Sequence, residues 1–456
     1  MPNRYVFLVA ALALAGCNVS PHFSLTTPTY SVGGTISGLS GSGLQLTNAG
    51  GAFFIAAGAN GLYPNLVGSY PAGTNYDLTV LTQPGNPSQT CVVANGMGTV
   101  GNANSAAITV TCTTNTSRFL YVASQPPALA GEVEPFSIDA GTGALSAVPG
   151  AAQPVPGTPE VVASTPSGQY AYVLTVGGPV YGYSIGNAGA LTALAGSPYP
   201  TANQSNGMSI DPSGTYLYVA NSTDNAVFAF AVGSTGALTA IAGSPFAAGS
   251  SPLGVGTAIT SNGVRLVFVT NGGANNVSAY LADASTGVLT PVAGSPFAAG
   301  GDPNSIAVDA SAQFAFVTNA SDNTVSVYAI DSSSGALAAV NGSPFATGTG
   351  PVAVAPDPSA PYVYVANFID GTVSAYQLNV QNGDLTVVPG SPFPAGSKPF
   401  SAQVDNLGHF LYVANFGSGN LSAYAIGGNG ALTALATSPF PVGGVNSGPV
   451  SLGIAN

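Results

Sequence analysis

The chain has 456 residues, enough for a large core and more than one domain, and its 61 Gly and 36 Pro residues indicate many tight turns. Only 4% of the residues are charged, and 4 Lys and Arg against 16 Asp and Glu give a net charge of −12. Such a surface has little electrostatic attraction for nucleic acid or for anionic lipid headgroups, so we expect no nucleic-acid partner.

Residues 1–17 have the pattern of an export signal rather than that of a strand. Arg4 gives a positive start, and an apolar run follows that ends in Leu-Ala-Gly-Cys17. This ending resembles a bacterial lipobox, and the resemblance implies that Cys17 becomes the lipidated first residue of the mature protein. An ordinary secretory signal with an incidental Cys is the alternative. Because Asn18 stands where Asp tends to retain lipoproteins in the inner membrane, we expect an exported, lipid-anchored protein of the outer membrane, on its periplasmic or its surface face.

The next segments are predicted to be a tether and a small domain. Residues 18–29 are rich in Ser, Thr and Pro, whereas residues 30–115 alternate apolar and polar side chains between Gly and Asn turns, which predicts a small antiparallel β-sandwich. In an oxidising compartment, a disulfide between Cys91 and Cys112 would close a loop of about 20 residues and stabilise the fold by about 3 kcal/mol. The segment 83–91, with the sequence QPGNPSQTC, resembles a repeat of bacterial surface proteins, which implies a spacer role.

Residues 116–456 repeat one pattern of four short strand-like runs. In the copy from Pro303 to Phe345, the runs cover residues 305–308, 314–318, 324–330 and 336–340. The second run of each copy contains an aromatic residue followed by Val, at intervals of 46 to 51 residues. These aromatic residues are Tyr121, Tyr172, Tyr218, Phe268, Phe316, Tyr364 and Tyr412. Four strands in a period of this length are typical of a β-propeller blade.

The two ends of this region predict how the ring closes. The first copy starts at Arg118 with its second run, whereas residues 449–455 have the form of a first run. We therefore expect the C-terminal strand to complete the blade formed by residues 119–149, which leaves no open edge strand. The predicted fold is all-β: a seven-bladed β-propeller closed by the C-terminal strand and preceded by the small β-sandwich.

The repeats resemble the blades of a known family. The resemblance is clearest in DPSGTYLYVAN at residues 211–221, NAVFAF at 225–230 and TGALT at 235–239. These pieces are similar to blades of the lactonase-type β-propeller family, which includes 6-phosphogluconolactonase-like enzymes, and to the YVTN repeats of surface-layer proteins. The resemblance covers about three quarters of the chain and implies lactone hydrolysis by Arg, His and Glu on the channel face.

Few residues of the inner strands have the chemistry that this reaction needs. Glu160 follows the Pro that opens an inner strand, while Asp302 and Lys398 precede such prolines and should lie near the same rim. These three are the candidate catalytic residues, with Glu160 or Asp302 as base and Lys398 with backbone N–H groups as oxyanion donors. Arg265 and His409 begin second strands at the opposite end, where we expect solvated side chains. The recurrent Asp and Asn residues are predicted to cap turns; no His or Cys cluster indicates a metal site, and no cofactor is expected.

One aromatic feature is not repeated. Phe368 and Phe416 follow the Asn that closes the second strand in two neighbouring copies, and Phe400 begins the inner strand of the second of these copies. All three should lie on the sector of the face that carries Lys398, where aromatic rings can stack on a sugar or anchor a protein. Packing between adjacent loops is the alternative.

From the sequence we expect a binding or scaffold module of the cell envelope rather than an enzyme, because no Arg or His of this chain matches the catalytic cations of the enzyme family. Its partners would be the membrane, through a lipid anchor at Cys17, and an envelope glycan or protein ligand. A lactone hydrolase is the first alternative, and a structural component similar to surface-layer proteins is the second.

Overall fold

The structure is a computed structural model, and it describes residues 27–39, 44–48, 51–57, 60–82, 84, 89–114, 118–125, 131–443 and 448–455. Within these ranges the regular elements are all β-strands. No helix long and apolar enough to cross a bilayer occurs in this part of the chain.

The N-terminal part consists of two four-stranded sheets that share one apolar core. The first sheet has the order Gly61–Pro71, Thr29–Ser37, Ser105–Thr114, Gln89–Ala94, and the second has the order Gly51–Ala57, Leu44–Asn48, Asn75–Thr82, Met97–Thr99. The predicted sandwich is therefore present, although Thr29–Ser37 and Ser105–Thr114 pair in parallel rather than antiparallel. Cys91 and Cys112 stand opposite each other in neighbouring strands and form the predicted disulfide bond.

The rest of the described chain forms seven four-stranded blades, numbered here I to VII in the chain order of their second strands. From the channel outward, the strands are Gly448–Ala455, Arg118–Gln125, Gly131–Ile138 and Leu145–Ala147 in blade I; Pro159–Ser164, Tyr170–Thr175, Val180–Ile185 and Leu191–Ala193 in blade II; Ser205–Ile210, Tyr216–Asn221, Ala226–Val232 and Leu238–Ala240 in blade III; Pro252–Ile259, Arg265–Asn271, Asn276–Ala282 and Leu289–Pro291 in blade IV; Pro303–Val308, Phe314–Asn319, Thr324–Ile330 and Leu337–Ala339 in blade V; Pro351–Pro356, Tyr362–Asn367, Thr372–Leu378 and Leu385–Val387 in blade VI; and Pro399–Val404, Phe410–Asn415, Asn420–Ile426 and Leu432–Ala434 in blade VII. The sheets are antiparallel within each blade.

The repeated aromatic residues explain why the blades pack against one another. All seven have an exposed fraction of 0% and lie in the second strands, in which nearly every residue is buried. Each Tyr of this set also donates its hydroxyl hydrogen to a Gly carbonyl of the following blade. At the end of the series, the Tyr412 hydroxyl of blade VII donates to the Gly143 carbonyl of blade I at 2.8 Å. The ring therefore closes with the same contact that joins its other blades.

The closure that the sequence predicts is confirmed. The C-terminal strand Gly448–Ala455 pairs antiparallel with Arg118–Gln125 and supplies the inner strand of blade I. This strand also contacts the inner strands of the blades on both sides, Pro159–Ser164 and Pro399–Val404. The ends of the propeller sequence thus meet in one sheet, which removes the exposed edge that an open ring would have.

A recurrent Ser-Pro segment, in most copies Gly-Ser-Pro-Phe, forms part of the edge of six blades, II to VII. In blade V, Leu337–Ala339 pairs with the end of the third strand and Phe345–Ala346 pairs with its beginning. Between them, the Val327 N–H donates to the Ser343 hydroxyl oxygen at 2.9 Å. The equivalent hydroxyl contact is made by Ser197, Ser244, Ser295, Ser391 and Ser438. The Ser side chain therefore replaces the backbone acceptor where the outer strand is interrupted.

Candidate functional site

The mouth of the channel is formed by an irregularity that recurs in every inner strand. After the buried Pro or Ser near the start of the strand, pairing with the second strand is interrupted and the next residue has no partner opposite it. We call these seven residues the mouth ring: Glu160, Asn206, Leu253, Asn304, Val352, Phe400 and Val450. All except Val450 are partly exposed. A bulge turns a side chain away from the regular pleat, so the six partly exposed members present their side chains at one end of the channel.

Glu160 is the one charged member of the mouth ring. It lies on blade II, directly after the buried Pro159, and its side chain is half-buried. Within the described parts of the chain, no ion pair involves its carboxylate. Burial raises the pKa of Glu160 from 4.5 to about 7. A carboxyl group with such a pKa can accept and release a proton near neutral pH.

Phe368, Phe400 and Phe416 lie together, and we call them the aromatic sector. The ring centroid of Phe400 is 6.0 Å from that of Phe368 and 6.3 Å from that of Phe416. The ammonium nitrogen of Lys398 lies 5.9 Å from the Phe368 centroid, within the range of a cation–π contact. Phe416 keeps an exposed fraction of 37%, so the sector is open to solvent on one side. Their predicted role in binding stays a prediction, but their proximity to Lys398 is a feature of the structure.

The aromatic sector adjoins the arc of the mouth ring that contains Glu160. Phe400 packs against a buried cluster that includes Val162 of blade II and Val450 of blade I. Blade I is the only blade between Phe400 on blade VII and Glu160 on blade II. Going round the ring, an apolar arc of Val352, Phe400 and Val450 therefore leads directly to the carboxyl group.

Asp302 and Lys398 occupy equivalent positions, each immediately before the Pro that opens an inner strand. Both have left-handed backbone conformations, with φ of 51° and 54°. Their carbonyl oxygens accept hydrogen bonds from the loop N–H groups of Ala320 and Phe416, both at 3.0 Å. They belong to blades V and VII, both side chains are exposed, and no described ion pair joins either of them to Glu160. The structure therefore places the three catalytic candidates on one face but does not gather them into an ion-paired group.

The two described arginines lie at the opposite end of the channel, and each joins two blades. Arg118 forms a buried ion pair with Asp405 of blade VII, and Arg265 pairs with Asp211 of blade III. Arg265 also lies over the Tyr216 ring, at 5.7 Å from its centroid. The expectation of a solvated side chain is therefore wrong for Arg265, whereas His409 is exposed as expected. The sequence feature that indicates these ion pairs is the Asp that recurs between the first and second strands of the preceding blade, here Asp405 and Asp211.

The recurrent Asp and Asn residues stabilise turns, as predicted. Hydrogen bonds from Ser285 and Thr286 lower the pKa of Asp283 to about 2. Asn319 is fully buried; its side-chain amide donates to the Thr324 and Ser326 hydroxyls, and its oxygen accepts from the Gly300 N–H. Across the described ranges, no three His, Cys, Asp or Glu residues are grouped so that they could hold a metal ion.

A cavity of about 530 Å³ lies in the small sandwich rather than in the propeller. Its lining includes Asp77, Val80, Cys91, Val93 and Met97. The sulfur atom of Cys91 is held in the disulfide, and Asp77 is the one ionisable group in this lining. The cavity therefore lacks the paired acid, base or nucleophile that catalysis requires.

Comparisons with known proteins agree with this architecture. A family model described as a seven-bladed β-propeller lactonase matches residues 131–296, 256–356 and 342–445. No curated protein matches the chain. A putative 6-phosphogluconolactonase from Bacteroides fragilis is 18% identical, with a TM-score of 0.64 over 75% of this chain and 99% of its own. The periplasmic gluconolactonase of Pseudomonas aeruginosa is 18% identical, with a TM-score of 0.62 and the same coverage of 75% and 99%.

At these identities, the likeness to solved structures shows the fold alone. The matches to the family model extend from residue 131 to residue 445, which is more than half of the chain. The chain therefore belongs to the seven-bladed β-propeller lactonase family.

Proposed function

We propose that this chain hydrolyses a lactone at the mouth ring, with Glu160 as the general base. The observation that carries the proposal is the half-buried, unpaired carboxyl group of Glu160 at the channel mouth, with its pKa raised to about 7. The sequence alone favours a binding module, and membership of the lactonase family reverses that preference. Two structures with this fold are named as a 6-phosphogluconolactonase and a gluconolactonase, which supports the same reaction class.

In the proposed reaction, the Glu160 carboxylate accepts a proton from water while the water oxygen attacks the ester carbonyl carbon. The carbonyl oxygen gains negative charge, and when it reforms the double bond, the bond between this carbon and the ring oxygen breaks. Glu160 then returns its proton to the departing ring oxygen, so that the product is an open-chain hydroxy acid. No other reactant is needed, and the carboxyl group ends the cycle as it began.

Lys398 and backbone N–H groups are the candidate donors to the charged carbonyl oxygen. Of the described Lys and Arg residues, Lys398 is the one on this face, because Arg118 and Arg265 are paired with aspartates at the other end. Asp302 is the weaker candidate for the base, since its side chain is exposed and two blades, III and IV, lie between its inner strand and that of Glu160.

The test is an assay of several simple lactones with wild type and Glu160→Gln. Loss of a general base typically lowers the rate by about a hundredfold or more, so we expect this loss for each lactone that the wild type hydrolyses. Glu132→Gln is the matched control, because it neutralises a half-buried carboxyl on the third strand of blade I and should retain the wild-type rate. Equal rates for wild type and Glu160→Gln, or no hydrolysis by wild type, would refute the proposal.

A binding module is the second candidate, and the aromatic sector is the observation that favours it. Two phenyl rings within stacking distance of the central Phe400 ring, together with one lysine, form a surface that can hold a sugar or an apolar side chain. Glycan or envelope-protein binding that weakens in Phe416→Ala, in a chain without lactone turnover, would favour this function. If substitutions in the aromatic sector and at Glu160 changed neither ligand binding nor lactone hydrolysis, the role of a structural surface component would remain.

We also propose that the mature protein is anchored to the outer membrane by a lipid at Cys17, on its periplasmic or surface face. Residues 1–26, and with them Cys17, lie outside the described part of the structure, so the support is the lipobox-like ending alone. Metabolic labelling with a fatty acid should mark the wild type and not Cys17→Ser. Equal labelling of both would contradict the anchor.

A further inference from the structure

We propose that the substrate of the mouth ring is an uncharged lactone with an apolar substituent, and that phosphorylated sugar lactones are poor substrates. This inference rests on the proposed lactone hydrolysis and adds the chemical class of the substrate. It follows from the charge around the mouth and from the arrangement of apolar residues beside Glu160.

The charge at the mouth opposes an anionic substrate. Besides Glu160 and Asp302, this face carries Asp322 and Asp370, whose carboxylates accept from the N–H groups of Gly301 and Thr349, and Lys398 is the single cation on it among the described residues. A phosphate group carries a charge of about −1.5 to −2 at neutral pH and is usually held by several donors, such as arginines or a helix N-terminus. Both described arginines are engaged in ion pairs elsewhere, and the regular elements of the described chain are strands. A phosphorylated lactone would therefore meet net negative charge without a matching site.

Three of the four apolar residues of the mouth ring are clustered, and the fourth, Leu253, lies between Asn206 and Asn304. Val352, Phe400 and Val450 come from blades VI, VII and I, which are consecutive in the ring, and the next blade carries Glu160. On the other side of the ring, Asn206 and Asn304 provide amide groups instead. A substrate whose ester lies at Glu160 can therefore place an alkyl or aryl group against the partly exposed Phe400 and Val352, whereas Val450 is buried in the cluster on which Phe400 packs.

The aromatic sector extends this arc beyond the channel. Phe368 and Phe416 flank Phe400, and Ile369 next to them has an exposed fraction of 70%. Burying one such apolar side chain against a ligand contributes roughly 1.5–3 kcal/mol when its surface leaves water completely. The exposed apolar surface is thus available to a substituent of several carbon atoms, whereas a sugar phosphate would leave it in water.

The test compares δ-decalactone, glucono-δ-lactone and 6-phosphoglucono-δ-lactone with the full-length protein. We expect kcat/KM to be highest for δ-decalactone, by about tenfold or more over the phosphorylated lactone, since each methylene in an apolar pocket contributes a factor of this order. Phe400→Ala should raise KM for δ-decalactone about tenfold with little change in kcat, and should leave glucono-δ-lactone nearly unaffected. Val387→Ala is the matched control, because it removes an exposed apolar side chain from the fourth strand of blade VI, outside the mouth ring, and should not change KM.

A preference for the phosphorylated lactone, lost in Lys398→Ala, would overturn the inference while leaving lactone hydrolysis intact. To separate the two proposals, the lactam analogue of δ-decalactone, which resists hydrolysis, is titrated by calorimetry. Binding that weakens in Phe400→Ala, without turnover of any lactone, would refute the hydrolytic function and preserve the apolar site. Absence of lactam binding, together with no preference among the lactones, would refute the inference.

Discussion

The chemistry proposed for this protein depends on where one carboxyl group lies. Glu160 follows a buried proline at a strand bulge and has no cation beside it in the described chain, so burial raises its pKa to about 7. Asp283 lies in an exposed turn, where the side-chain and backbone donors of Ser285 and Thr286 lower its pKa to about 2. Position alone therefore makes one acid a permanent anion and the other a proton acceptor at neutral pH.

Glu160→Gln should change the pH dependence of stability. The unfolded chain releases the Glu160 proton near the ordinary pKa of 4.5, whereas the folded chain keeps it to about pH 7. As pH rises through this window, the folded wild type loses up to about 3 kcal/mol of stability, and the variant does not. We expect equal melting temperatures at about pH 4 and a higher one for the variant at about pH 8. If the melting temperatures of wild type and variant differed by the same amount at both pH values, Glu160 would not be a buried, unpaired carboxyl group.

Part of the candidate site could be predicted from residue identity and register. Because the repeats align, Phe368, Phe400 and Phe416 could be assigned to one sector with Lys398, and Glu160 could be assigned to an inner strand. The bulge that presents Glu160 at the mouth has no residue signature of its own, since Glu, Asn, Leu, Val and Phe all occupy it. The pairing of Arg265 with Asp211 was missed because the two residues belong to different blades.

At the scale of the element, a Ser side chain completes the hydrogen bonding of the edge in blades II to VII. In blade VI, Leu385–Val387 and Phe393–Pro394 both pair with the third strand, and the Ala375 N–H lies between them. The Ser391 hydroxyl oxygen accepts from this N–H at 2.9 Å. The recurrent Ser-Pro motif is therefore part of the sheet, and strand periodicity could not reveal this.

Ser391→Ala should destabilise the propeller, because it leaves the buried N–H of Ala375 without an acceptor. An unsatisfied buried donor typically costs about 1–3 kcal/mol. Thr386→Ala, on the exposed fourth strand of the same blade, is the matched control and should change stability by less than about 0.5 kcal/mol. Denaturant unfolding measures both values, and equal midpoints for the two variants would show that the hydroxyl contact is not stabilising.

At the scale of the molecule, three contacts close the ring between blades VII and I. The C-terminal strand Gly448–Ala455 completes blade I, Tyr412 donates to Gly143, and Arg118 pairs with Asp405. The period of the aromatic residues and the missing first strand were enough to predict the blade number and this closure. The ion pair was not predictable from the repeat, because Arg118 has no counterpart in most other blades.

Deleting residues 449–456 should strongly lower the melting temperature, because blade I then loses its inner strand and exposes the edge of Arg118–Gln125. Removing residue 456 alone is the control and should leave the melting temperature unchanged. If the longer truncation had the same melting temperature as the wild type, the C-terminal strand would not be what holds the ring closed.

The most direct test of the proposed function is the pH profile of kcat/KM for hydrolysis of one uncharged lactone. This parameter reports the pKa of the catalytic base in the free enzyme. We expect the rate to rise with pH through an apparent pKa of about 7, that of Glu160, to level off above it, and to lose this step in Glu160→Gln. A profile of the same shape and height in wild type and Glu160→Gln would contradict the assignment of Glu160 as the base.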